Sequence, residues 1–278
     1  MTALRKAIEA DRRNGEFPFM VIGTAGTVST GAVDPLPEIA ALCQAEKLWF
    51  HVDGAYGGFA AGLPGTPGDL KGLSFADSVA IDPHKWLYAP LEVGCALVRR
   101  PEALRDAFSF HVPYYRFHDS EDEAPLNFFE YGPQNSRGFR ALKVWLALRQ
   151  AGRNGYVKMI SDDIALSKEL AAAASTTEGI QVLTQDLSIT TLRYVPPDLA
   201  PGAERIETYL NRLNEELLMR LQRGGEAFLS NAVLNGMFVL RACIVNFRTS
   251  LDDVRSLPGV VVRLGKEVDA DLRPEEFA

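Results

Sequence analysis

Two short segments carry residue types that could do covalent chemistry: HVDGAYGG at 51–58 and DPHKWLYAP at 82–90. Each follows a short apolar run that reads as a buried strand, 48–52 and 78–81. In open α/β sheets, ligands collect outside the carboxyl ends of the strands, so Asp53 and Lys85 both stand where a ligand would sit. A lysine amine attacks a carbonyl only when neutral, and burial beside a cationic ligand favours that form. An aspartate at a nearby strand end can hold a proton on a pyridine nitrogen. Together these are what pyridoxal phosphate requires: a lysine to anchor its aldehyde, and a carboxylate that keeps the ring able to accept the electrons of a substrate carbanion.

Each residue alone also has a plainer reading, Asp53 as the cap of the Gly54 turn and Lys85 as a solvated loop lysine. Their pairing in this context favours the chemistry. His51 and Asp53 share a strand face and with His84 could suggest a metal site, but no further ligand is clustered nearby. Gly54, Gly57 and Gly58 match neither GxGxxG nor GxxxxGKS, so nucleotide binding has no specific support. Trp86, Phe139 and Trp145 are expected in the core, because aromatics at strand or helical spacing usually bury area.

The elements that must position this pair are legible from periodicity. A strand at 19–23 leads into the loop TAGTVSTGAV, after which Asp34 is expected to cap a helix opened by Pro35 and running to about Lys47. Residues 93–98 read as another strand and Pro101 opens a helix through Phe108. The polar, aromatic stretch 111–135 reads as a long loop of the lid or binding kind. Ser136 is expected to cap a helix bearing Phe139, Leu142, Trp145, Leu146 and Arg149, followed by a second helix over 157–174. Strands at 180–183, 188–195 and 237–245 with an amphipathic helix near 206–221 suggest a separate α+β unit, and the tail beyond Pro258 is expected to be partly mobile. The expected organisation is therefore α/β, with a large-domain portion at 1–150 and a smaller α+β domain at 151–278.

Composition limits the partners. With 29 Lys plus Arg against 36 Asp plus Glu, the formal charge of −7 gives no electrostatic grip on nucleic acid or an anionic membrane. A small-molecule ligand is the better expectation. The start, MTALRKAIEADRR, reads as an amphipathic helix rather than a signal peptide, and no apolar run reaches membrane-spanning length. Cys43, Cys95 and Cys243 form neither a disulfide framework nor a CxxC motif, in keeping with a reduced, cytoplasmic setting.

The segments TAGTVSTGAVDPL, LWFHVDGAYGG, ADSVAIDPHKWLYAP, SRGFRALKVWLALR and VLRACIVNFRTS resemble, in order and spacing, the pyridoxal-phosphate-dependent decarboxylases of the aromatic-L-amino-acid decarboxylase type. The resemblance implies the aspartate-aminotransferase-like fold (fold type I), a homodimer, and an amino-acid carboxy-lyase acting on an aromatic or related L-amino acid. It implies Lys85 as the Schiff-base lysine, Asp53 as the partner of the pyridine nitrogen and Ala55 as the small residue against the ring. His84 resembles the histidine that positions cofactor, with a packed structural histidine as its alternative. PYYRFH at 113–118 resembles the family's loop segment, making Tyr115, or Tyr114 if the register slips, the phenol that protonates the substrate carbon and so favours an amine product. Three departures stand beside this. The family's ring-stacking histidine and phosphate-gripping Ser/Gly groups have no counterpart before Phe19, so weak cofactor retention or a non-catalytic chain is an alternative. Val28 replaces a frequent Thr, and Gly138 a frequent Arg. Another fold type I enzyme, such as an aminotransferase, would use Asp53 and Lys85 equally.

Overall fold

The computed structural model describes residues 1–110 and 126–277. Helix α1 (Thr2–Arg13) is amphipathic and buries Ile8 in the N-terminal core. Strands β1 (Met20–Thr24), β2 (Trp49–Asp53) and β3 (Ser78–Ile81) are parallel, with Val52 beside Gly23 on one side and Val79 on the other. Strand β4 (Cys95–Val98) adds antiparallel to β3, giving the order β1-β2-β3-β4. The β1–β2 crossover is helix α2 (Leu36–Glu46); the β2–β3 crossover is built from two 3-10 helices, Gly57–Gly62 and Gly68–Phe75.

Asp34 does not cap α2. Pro35 occupies the cap position without a side-chain bond, and the Asp34 carboxylate instead accepts the Thr24 N–H at 2.8 Å. Helix α2 is held by packing instead: Leu36, Ile39 and Leu42 meet Phe50, Val52, Leu70 and Trp86 in one buried cluster. Each such side chain contributes roughly 1.5–3 kcal/mol, more than the ~1 kcal/mol of a missing cap.

Helix α3 (Pro101–Phe108) starts at its proline as expected. The stretch read as a long loop holds a 3-10 helix, Phe128–Tyr131, in its described part. Beyond it, the two expected helices follow one another within α4 (Arg140–Ser175), separated by a kink at Gly152, whose φ of 63° and ψ of 176° leave the helical region. Ser136 lies outside it and Phe139 takes the cap position without a side-chain bond. The expectation of buried aromatics fails here: Phe139 is 76% and Trp145 58% exposed, because the first part of α4 presents its apolar stripe outward. Trp86, by contrast, is fully buried.

The C-terminal sheet is antiparallel, ordered β5-β6-β8-β7, from β5 (Ile180–Asp186), β6 (Ile189–Tyr194), β7 (Ser230–Leu234) and β8 (Met237–Cys243). Strand β7 was not expected from periodicity, although Asn235-Gly236, both at positive φ, is a strong hairpin signal. Helices α5 (Glu204–Gly224) and α6 (Leu251–Leu272) pack with α4 over this sheet. The tail beyond Pro258 is thus helical rather than irregular. A Ser250/Asp253 capping box starts α6, and burial of Val254, Leu257, Val261 and Leu264 outweighs the roughly 3 kcal/mol cost of an interior proline.

Candidate active site

The turns after β1, β2 and β3 are stitched together by backbone hydrogen bonds. Ala25 N–H donates to the Asp53 carbonyl at 2.8 Å, Gly57 N–H to Ala25 at 3.0 Å, Gly54 N–H to Ala80 at 2.8 Å and Asp82 N–H to Ala55 at 3.3 Å. Gly57 is needed for this closeness, since a Cβ there would lie 2.5 Å from the Ala25 carbonyl oxygen. The parallel register of β2 and β3 brings the segments bearing Asp53 and Lys85 to the same end of the sheet. Trp86 stacks on Tyr56, centroids 4.8 Å apart, locking the second segment onto the first.

Asp53 is exposed at the end of β2 and accepts the Ala55 N–H at 3.1 Å through Oδ1. That is the turn-capping contact expected of the plainer reading, and it engages one carboxylate oxygen. Ala55 is half-buried beside it. Lys85 is less buried than its chemistry led us to expect: the side chain is 42% exposed, with Nζ 2.8 Å from Asp82 Oδ2. The loop between β3 and β4 curls back at its base, so the amine projects outside the core. His84 is half-buried, its Nδ1 2.7 Å from the Val93 carbonyl oxygen and 3.2 Å from the Val93 N–H, and its Nε2 4.0 Å from Asp82. His51 is occupied by Ser78 Oγ at 2.7 Å, and among the described residues no His, Cys, Asp and Glu cluster could hold a metal. Tyr114 and Tyr115 lie outside the described residues.

Sequence reasoning missed what surrounds this pair. Asp82, the first residue of DPHKWLYAP, is the ion partner of Lys85. Tyr56 Oη lies 2.7 Å from Ser188 Oγ and accepts the Ser188 N–H, so the C-terminal unit is tied directly to the β2 turn. Burial pushes the Tyr56 phenol well above its ordinary range. Cys243 of β8 is also near: burial raises its thiol, while Arg241 and, more weakly, Lys85 act in the opposite direction. A hollow of about 470 Å³ lined by Cys43, Lys47, Asp77 and Arg99 includes neither Asp53 nor Lys85.

The pyridoxal-dependent decarboxylase conserved domain matches residues 1–192. The chain belongs to the pyridoxal-dependent decarboxylase family. An aromatic-L-amino-acid decarboxylase of Bacillus atrophaeus is 36% identical over 269 residues, covering 96% of this chain and 55% of that protein. A tyrosine decarboxylase of Petroselinum crispum is 30% identical, over 90% of this chain and 48% of its own length. The crystal structure of Oryza sativa TDC with PLP and tryptamine superposes with a TM-score of 0.86 at 28% identity, covering 95% of this chain and 54% of that one. The chain spans about half the length of the curated relatives it matches. The fold is the type I fold of this pyridoxal-dependent family.

The donor set fits the family's cofactor: a primary amine on Lys85 for an aldehyde, a carboxylate on Asp53 with one oxygen left for a ring N–H, and a small residue, Ala55, two positions after Asp53.

Proposed function

We propose that this chain carries the lysine-bearing part of a pyridoxal-phosphate-dependent carboxy-lyase that acts on an aromatic or related L-amino acid. When bound, the cofactor supplies an electron sink for the bond broken at the substrate carbon. Lys85 anchors its aldehyde, and Asp82 holds the amine between attachment events. Asp53 keeps the ring nitrogen protonated through a charge-assisted hydrogen bond. Ala55 leaves room for the ring and His84 orients the loop beside it. Tyr115, or Tyr114 in its place, delivers the proton that completes an amine product.

The observation that carries this reading is the fit of Asp53, at the end of β2, and Lys85, in the turn after the neighbouring parallel β3, to the chemistry of the matched family. A two-fold homodimer and a cytoplasmic setting belong to the same proposal. The exposed Phe139 at the cap of α4, with Leu142, Trp145 and Leu146 on its first turns, supports association. The division into a large-domain portion, 1–150, and a small domain, 151–278, belongs to the same proposal.

Pyridoxal phosphate added to the protein, followed by borohydride and peptide mass mapping, tests the reading even for a weak complex, because reduction makes a reversible link permanent. The pyridoxyl group is expected on Lys85; its appearance on Lys71 or Lys143 instead sinks the assignment. Asp53→Asn should keep the fold and lower carbon dioxide release by roughly 10²-fold or more, the size of losing one preorganised electrostatic partner.

A further inference from the structure

Three consecutive residues after Lys85 are each gripped by α4. Trp86 Nε1–H donates to Asp163 Oδ2 at 2.8 Å, the Leu87 carbonyl accepts the Tyr156 hydroxyl at 2.9 Å, and the Tyr88 hydroxyl donates to the same Asp163 oxygen. Farther along the loop, Arg140 pairs with Glu92 at 2.7 Å and Lys143 Nζ donates to the Leu91 carbonyl at 3.1 Å. Tyr156 and Asp163, two helical turns apart, stand on the buried stripe that also carries Ile160, Ser167, Leu170 and Ala174.

Asp163 is an unusual occupant of that stripe. It is 1% exposed and its hydrogen bonds come from neutral donors. Burial raises its carboxyl above the usual range, Asp162 adds to that, and the bonds from Tyr88 and Trp86 oppose it. A packed apolar side chain would cost less at such a position. What a carboxylate does there that a leucine cannot is collect two donors, from positions 86 and 88, on one oxygen. The turn needs such a constraint: Tyr88 has a φ of 52°, a left-handed conformation costly for a residue with a Cβ, and Lys85 itself is half exposed with one ion pair to direct it.

We propose that Asp163 is a positioning residue: by holding Trp86 and Tyr88 on one oxygen, with Tyr156 holding the backbone between them, it sets the turn from which Lys85 reaches the cofactor aldehyde. The proposal rests on the function given above. Asp163 touches neither substrate nor cofactor; it acts through the loop.

Two readouts test it: amide hydrogen exchange over residues 83–89 without cofactor, and the rate at which pyridoxal phosphate and borohydride label Lys85. Asp163→Leu should speed exchange in that loop and leave β5–β8 unchanged. It should also slow Lys85 labelling roughly tenfold, the size of losing hydrogen bonds to a charged acceptor. Asp163→Asn, whose amide oxygen can accept both donors, should stay within about twofold of the unaltered protein. In a Trp86→Phe/Tyr88→Phe background, Asp163→Leu should add nothing further. Labelling of Asp163→Leu at the unaltered rate, or an undiminished effect in the double-Phe background, overturns the proposal. Should Asp163→Leu fail to fold, Tyr88→Phe carries the test, and a labelling rate unchanged by it overturns the proposal equally. If pyridoxal phosphate never labels Lys85 in the unaltered protein, the cofactor reading falls, while exchange over 83–89 still decides whether Asp163 holds the loop.

Discussion

The two sheets treat charge in opposite ways. In the C-terminal unit, Arg193 is 1% exposed and fully engaged, with Nε on Gln181 at 2.8 Å and its two terminal nitrogens on Glu207 at 2.6 and 3.2 Å. Buried Asn214 bridges both backbone groups of Tyr194. At the carboxyl end of the N-terminal sheet, Asp53 is exposed and Lys85 has one surface ion pair. A polar group that serves stability is enclosed and saturated, whereas Asp53 and Lys85, which the proposed function assigns to a ligand, are left with bonding capacity to spare. Arg241 is the instructive exception: among the described residues its Nε is the buried side-chain atom without a partner, and its charge reaches Tyr56 and Cys243 at the junction of the two units.

This contrast can be broken by measurement. The largest stability loss should follow Arg193→Leu, which strands Glu207 and Gln181; about 3 kcal/mol is expected, the low end for a broken buried pair because Glu207 is partly solvated. Urea denaturation reads it, and a loss below about 1 kcal/mol would show that the enclosure is not what holds β6 to α5.

A smaller effect concerns acid. The hydrogen bond and charge of Arg193, with a bond from Gly202, hold the Glu207 carboxyl below its ordinary range. A carboxyl lowered in the folded state contributes stability above its unfolded value, near pH 4.3, and loses it as pH falls through the lowered folded value. Glu207→Gln should therefore flatten the acid limb of the stability curve. An unchanged acid limb would assign that dependence to other carboxylates.

The smallest effect should come from Lys85→Ala. Its ion pair is solvent-exposed, so stability should change by no more than about 0.5 kcal/mol, while on the proposed function the cofactor link would be lost. A thermal shift as large as that of Arg193→Leu would mean that Lys85 is a structural residue after all.

The site was legible as a pair of residues and illegible as an arrangement. Asp53 and Lys85 could be singled out because short strands ending in chemically capable residues announce themselves locally. The ion pair between Lys85 and Asp82 was within reach, three residues apart, but depends on how the turn curls. Asp163 left one usable trace, a carboxylate on the Tyr156, Ile160, Ser167, Leu170 stripe, which marks a buried acid before any partner is known. The error at Phe139 and Trp145 has a related cause: periodicity reports that a helix has an apolar face, and says nothing of what lies against it.

What the sequence by itself determined is local: parallel strands from short apolar runs, helices from spacing, and a lysine and an aspartate at strand ends, each dictated by side chains within a few positions. What only the tertiary structure decided is which distant groups meet. Tyr56 reaching Ser188 across 132 positions, and Asp163 receiving Trp86 and Tyr88 across 77 and 75, are set by the packing of whole elements. Such meetings leave no periodic mark because a single hydrogen bond constrains one residue at each end, while the burial that brings them together is spread over many apolar side chains, none of which names its partner.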